Sequence, residues 1–163
     1  MRAVPAFCIL GSLVVLPTSV VARQDHHAPD DRGADTVMGF DQQRTAHHFL
    51  LFKDGGAIEV SVKDAGDTTN RDAIRSHLPH IVMMFGSGNF DAPMMVHDSA
   101  SVPGTQVMAA RKAAIRYEYA ETPNGGRVTI VTLDPEALDA VHAFLKYQIA
   151  EHKTGDPAMV QPR

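Results

Sequence analysis

Two hairpin signals set in matching surroundings constrain this chain more than any other feature. The first is Lys53-Asp-Gly-Gly56, flanked by His47–Phe52 and Ala57–Val62. The second is Pro123-Asn-Gly-Gly126, flanked by Ile115–Glu121 and Arg127–Thr132. Short runs rich in β-branched and aromatic residues, separated by Asp-Gly or Asn-Gly, read as antiparallel strands joined by tight turns. An offset of 70 superposes Gly55-Gly56 on Gly125-Gly126, Phe49 on Tyr119, Ile58 on Val128 and Val60 on Ile130.

A helical pattern follows each hairpin. After the first, Asp67-Thr-Thr-Asn offers Asp67 or Thr69 as an N-cap, and Ile74, Leu78, Ile81, Val82 and Phe85 fall on one apolar stripe. Pro79 should kink this helix between His77 and Ile81, since it lacks a donor and crowds the preceding turn. Gly86-Ser-Gly88 should end it. After the second hairpin, Asp134-Pro135-Glu136 gives a cap, a first-turn proline and an acid. Its stripe of Leu138, His142, Leu145 and Ile149 matches the first at an offset of 64. Residues 91–107 read as a connection punctuated by proline and glycine.

Two tandem ββα units predict an α+β fold: a four-stranded antiparallel sheet with two helices on one face. A turn at Asp54-Gly55 would set Leu51 opposite Ile58, Phe49 opposite Val60 and His47 opposite Val62, all on the core side. The other side would carry His48, Leu50, Phe52, Glu59, Arg116, Glu118, Arg127, Thr129 and Val131. That mixture is too apolar for a plainly solvated face, and a second copy of the chain is the partner it suggests.

The chain divides into a signal peptide (1–22), a polar arm (23–44), one α+β domain with the internal repeat (45–154) and a C-terminal tail (155–163). Arg2, the apolar run Ala6–Val15 and the small residues before a cut after Ala22 form the export signal. The destination is periplasmic or secreted, with no stable membrane insertion once the signal is removed. Cleavage leaves 163 less 22, or 141 residues, and removes Cys8, the only cysteine. Disulfides, thiolate metal sites and cysteine nucleophiles are thereby excluded. The same cut removes one of 15 basic residues and none of the 19 acidic ones, for a net charge of −5. Nucleic acid, which wants a basic face, is not an expected partner.

The candidate chemistry lies in histidine and methionine. Arg71–His97 holds three of the nine histidines and four of the eight methionines. His77, His80 and Met84, at i, i+3 and i+7, form a second stripe on the first helix. Met95 and His97 follow, and would share a face in an extended segment. His48 could complete the set, or His47, but not both, because neighbours on a strand point to opposite sides. Imidazole and thioether suit copper, with zinc as the alternative ion. The expected ligands are therefore His77, His80, Met84, Met95, His97 and His48. His142 reads as a core histidine, and His152 as a charge favourable to a helix C-terminus. His26 and His27 read as part of a solvated arm.

The chain carries no Gly-x-Ser-x-Gly elbow, no His-Glu-x-x-His, no P-loop and no dinucleotide-binding glycine pattern. The leading functional expectation is thus an exported protein that binds a transition metal, copper first, rather than an enzyme. A non-catalytic interaction domain dimerising through the open sheet face comes second. A small enzyme using histidine acid–base chemistry comes third.

Overall fold

The computed structural model describes Met1 and residues 38–163. The expected signal peptide, most of the arm and His26-His27 lie outside the described residues. Strands β1 (Thr45–Phe52) and β2 (Gly55–Val62) form the first hairpin, followed by helix α1 (Thr68–Ser87). Two short helices come next, α2 (Asp91–Val96) and α3 (Thr105–Ala110). Strands β3 (Ile115–Thr122) and β4 (Gly125–Thr132) make the second hairpin, followed by helix α4 (Pro135–His152) and a short strand β5 (Val160–Gln161). The architecture is mixed α+β, with sheet order β3-β4-β2-β1-β5.

Two features depart from the expected four antiparallel strands and two helices. The sheet has a fifth strand, β5, which lies parallel to β1 with Leu51 opposite Val160 and Phe52 opposite Gln161. Residues 91–107, expected as an irregular connection, contain α2 and α3. The Asn89 side chain accepts a hydrogen bond from the Asp91 amide at 2.8 Å where α2 begins. Pro93 falls inside the first turn, where a missing donor is harmless. The segment also sinks Phe90, Ala92, Val102 and Met108 into the core. That burial, invisible to a periodicity argument over so few residues, holds the short helices in place.

Both long helices cover one face of the sheet. Phe49, Leu51, Ile58, Val60, Tyr117, Val128 and Ile130 share the strand parity that faces Ile74, Leu78, Ile81 and Phe85 of α1 and Val141, Phe144, Leu145 and Ile149 of α4. The packing is crossed: α1 lies mainly over β3 and β4, and α4 mainly over β1 and β2. Asp67 is the cap of α1, accepting from the Asn70 amide at 3.2 Å. The helix runs through Pro79 without a break and ends at Gly88, whose φ of 84° is the left-handed conformation expected of a glycine cap.

The hairpin register is shifted by two residues from the expected one. The turn is Lys53-Asp54, so Phe49 faces Ile58, Leu51 faces Gly56 and His47 faces Val60. A shift of two preserves the faces but moves the glycines into the strand. There they serve close approach: a Cβ on Gly55 would collide with the Ile130 carbonyl of β4, and one on Gly56 with the Leu50 carbonyl and the Leu145 side chain. The second hairpin does the same, with its turn at Pro123-Asn124. Backbone bonds link the hairpins symmetrically, from Val62 N to Asn124 O at 2.9 Å and from Thr132 N to Asp54 O at 3.0 Å.

The helices correspond at an offset of 67, not 64. The caps Asp67 and Asp134 give that spacing, and it pairs the buried Ile74, Leu78 and Ile81 with the buried Val141, Leu145 and Gln148. Hydrogen bonding agrees. Arg75 donates to the carbonyls of Thr122 and Gly125, while its counterpart His142 donates through Nε2 to those of Phe52 and Gly55 at 2.9 and 3.0 Å. His142 is therefore half-buried and closes a turn. Reading it as part of a buried stripe had pulled the helix alignment off by almost one turn.

A histidine-lined cavity as the candidate functional site

The helix layer and the sheet leave a cavity of about 70 Å³, and four histidines from four different elements border it. His47 stands on the core face of β1, as strand alternation requires. His77 comes from the middle of α1, His97 directly follows α2, and His152 ends α4. Phe40, buried ahead of β1, wedges between two of them, with ring centroids 5.9 Å from His47 and 5.7 Å from His77. Met38 also borders the space.

The imidazoles form a connected run. His47 and His152 are stacked at 5.3 Å with 23° between their planes, and His97 meets His152 edge-on at 5.0 Å. His97 is held by a 3.0 Å hydrogen bond from Nε2 to the Gln148 side-chain oxygen, which leaves Nδ1 with a free lone pair. The buried Nε2 of His47 has no hydrogen-bond partner. Buried polar atoms are nearly always paired, and the Gln148 amide nitrogen on the same walls likewise has no partner.

Burial favours the neutral form of His47, His77 and His152. It pushes His47 down to about 3, with His152 and His77 adding repulsion. It pushes His152 down to about 4, with His97 adding to the effect. His77 is lowered as well, by burial first and then by His80. A charged His152 that favours the helix dipole, expected from sequence, is thus replaced by a neutral one. Among the described residues, no Asp, Glu, Lys or Arg borders the cavity, so none of them opposes these shifts as a counter-charge.

Of the six expected ligands, His77 and His97 meet at this cavity. The other four lie elsewhere. His80 is exposed, and Met84 is half-buried against the core without reaching the space. Met95 is 59% exposed. It was grouped with His97 on the premise of extended chain, but residues two apart on a helix point to roughly opposite sides. His48 lies on the opposite sheet face, where its Nδ1 is 2.9 Å from Asp156.

The residues missed were His47, held only as an alternative to His48, and His152. The stripe of α4 signalled the second, because Leu145 plus seven residues is His152. Among the described residues, no group of three His, Cys, Asp or Glu side chains is already set to hold a metal ion. Nor is any helix there long and apolar enough to cross a membrane. Compared with known protein families, curated proteins and solved structures, the chain matches none.

Proposed function

We propose that this is a metal-binding protein that takes a transition metal, copper first, into the cavity on His47, His97 and His152. His77 and the Met38 thioether stand at the same space as further donors. One observation carries the reading: a buried imidazole nitrogen of His47 without a partner, in a ring stacked on a second neutral imidazole. Metal ligation needs the deprotonated ring, and burial already supplies it at neutral pH. Stacked rings do not share a coordination point, so binding would turn His47 or His152 about its side-chain torsions, at a cost of about 1 kcal/mol per off-rotamer angle.

Export fits this reading, since a periplasmic or secreted chain meets metal ions directly. The proposed signal (1–22) is checked by the mass of the protein recovered from the periplasm, which should lack those residues. Calorimetric titration with copper checks the site. The His47→Ala/His152→Ala double variant should lose binding, and His80→Ala and Met95→Ala should keep it. Binding that is unaltered in the double variant would remove the proposal.

The dimer reading has less support. Phe52, the largest apolar group on the open face, is covered by the chain's own C-terminus, with the Arg163 guanidinium 5.2 Å above its ring. Glu59 and Arg127 satisfy one another on the same face at 2.8 Å. Residues 155–163, expected as a tail, supply that cover. Asp156 accepts from the Phe49 amide at 2.9 Å, and β5 extends the sheet. The acid–base reading has one feature in its favour, the His48–Asp156 pair, but that pair lies on the sheet face opposite the histidine-lined cavity.

A further inference from the structure

Resting on that reading, we infer that the cavity selects a univalent soft cation, Cu(I), over the divalent ions Cu(II) and Zn(II). The argument is one of charge. Among the described residues, the donors that border the cavity are imidazoles, one thioether and the Gln148 amide, and no carboxylate is among them. Apart from those groups, the walls formed by the described residues are apolar and aromatic, including Phe49, Ile81, Phe85 and Phe144. The free energy of moving an ion out of water into such surroundings grows with the square of its charge, so a divalent ion costs about four times as much as a univalent one.

A site for Zn(II) or Cu(II) normally offsets that cost with an anionic ligand or retained water, and none of the described residues on these walls supplies the anion. Cu(I) needs no such help. It accepts two or three soft or neutral donors, and thioether favours it over the divalent ions. The end of α4 adds a modest matching charge. His152 is the last residue of that helix, where unpaired carbonyls amount to roughly half a negative charge. Half a charge goes far toward balancing one positive charge and much less far toward balancing two.

The test uses the mature protein and four probes: Cu(I) under anaerobic competition with a chelator, Ag(I) as a redox-inert univalent ion, Cu(II) and Zn(II). Cu(I) and Ag(I) should bind one per chain, at least about a hundredfold tighter than either divalent ion. The His47→Phe and His152→Phe variants, which keep a ring in place, should abolish univalent binding while circular dichroism shows an unchanged fold. Zn(II) or Cu(II) binding as tightly as Cu(I), and lost in the same variants, would overturn the selectivity while leaving the metal site standing. No binding of any ion would overturn both. Univalent binding that survives the ring substitutions and disappears when His26 and His27 are replaced would also overturn both.

Discussion

The two halves of the molecule share a backbone plan but fill it differently. The hairpin offset of 70 and the helix offset of 67 carry His47 onto Tyr117, His77 onto Phe144 and His152 onto Phe85. The stacked His47–His152 pair at 5.3 Å thus corresponds to the Phe85–Tyr117 pair at 5.9 Å. On the aromatic side, Phe90 packs against Phe85 at 4.6 Å and Phe144 at 6.2 Å. On the other side, Phe40 and His97 enter, and the cavity lies among the rings they approach. The fold asks only for flat rings at these positions. Imidazoles in place of phenyl rings add desolvation cost without adding packing, so their presence points to a use beyond stability.

The largest contrast should come from truncation. Phe85→Ala should destabilise by about 3–5 kcal/mol, because it removes a fully buried ring from the aromatic cluster. Its counterpart His152→Ala removes only a half-buried ring and should cost about 1 kcal/mol or less. Denaturant unfolding of both variants compares them directly, and equal losses would break the asymmetry.

Acidity should strike only the imidazole half. His47 and His152 titrate near 3 and 4 when folded but near 6.5 when unfolded, so between those values the unfolded chain binds more protons. Stability is then complete above about pH 7 and falls as pH drops through 6.5, by at most about 1.4 kcal/mol per pH unit for each group. Metal-free protein should lose up to about 4 kcal/mol between about pH 7 and pH 5. The His47→Phe/His152→Phe variant should flatten this dependence in thermal melts at a series of pH values. An unchanged slope in that variant would remove the assignment.

The paired glycines offer a finer comparison. A Cβ on Gly56 meets the Leu50 carbonyl, which cannot yield, whereas one on Gly126 meets side-chain atoms of Tyr119 and Leu78 at 2.8 and 2.9 Å. Gly56→Ala should therefore cost about 2–3 kcal/mol and Gly126→Ala about 1 kcal/mol. Urea midpoints for the two variants decide the order.

The smallest effect expected is at the turns. His142→Ala removes the donor to Phe52 and Gly55 and should cost about 1 kcal/mol, since the freed carbonyls can take up water. Hydrogen exchange at the first hairpin should quicken, while the second, held by Arg75, stays protected.

The sequence by itself determined the two hairpins, the two long helices and the faces of the strands. Period-two alternation put His47 inward and His48 outward, Asp67 and Asp134 started the long helices, and Gly-Gly doublets marked the hairpins. These are local matters of backbone sterics and hydrogen bonding, which a few neighbouring residues settle. Tertiary structure decided the rest. The hairpin register moved by two because β4 and Leu145 demanded bare backbone at Gly55 and Gly56. Residues 91–97 became helical through buried contacts, separating Met95 from His97. The candidate site itself joins residues 47, 77, 97 and 152, which no spacing rule connects. Only the crossed packing of each helix over the other unit's hairpin brings those four rings together, because burial is shared among distant segments and is not a property of any one of them.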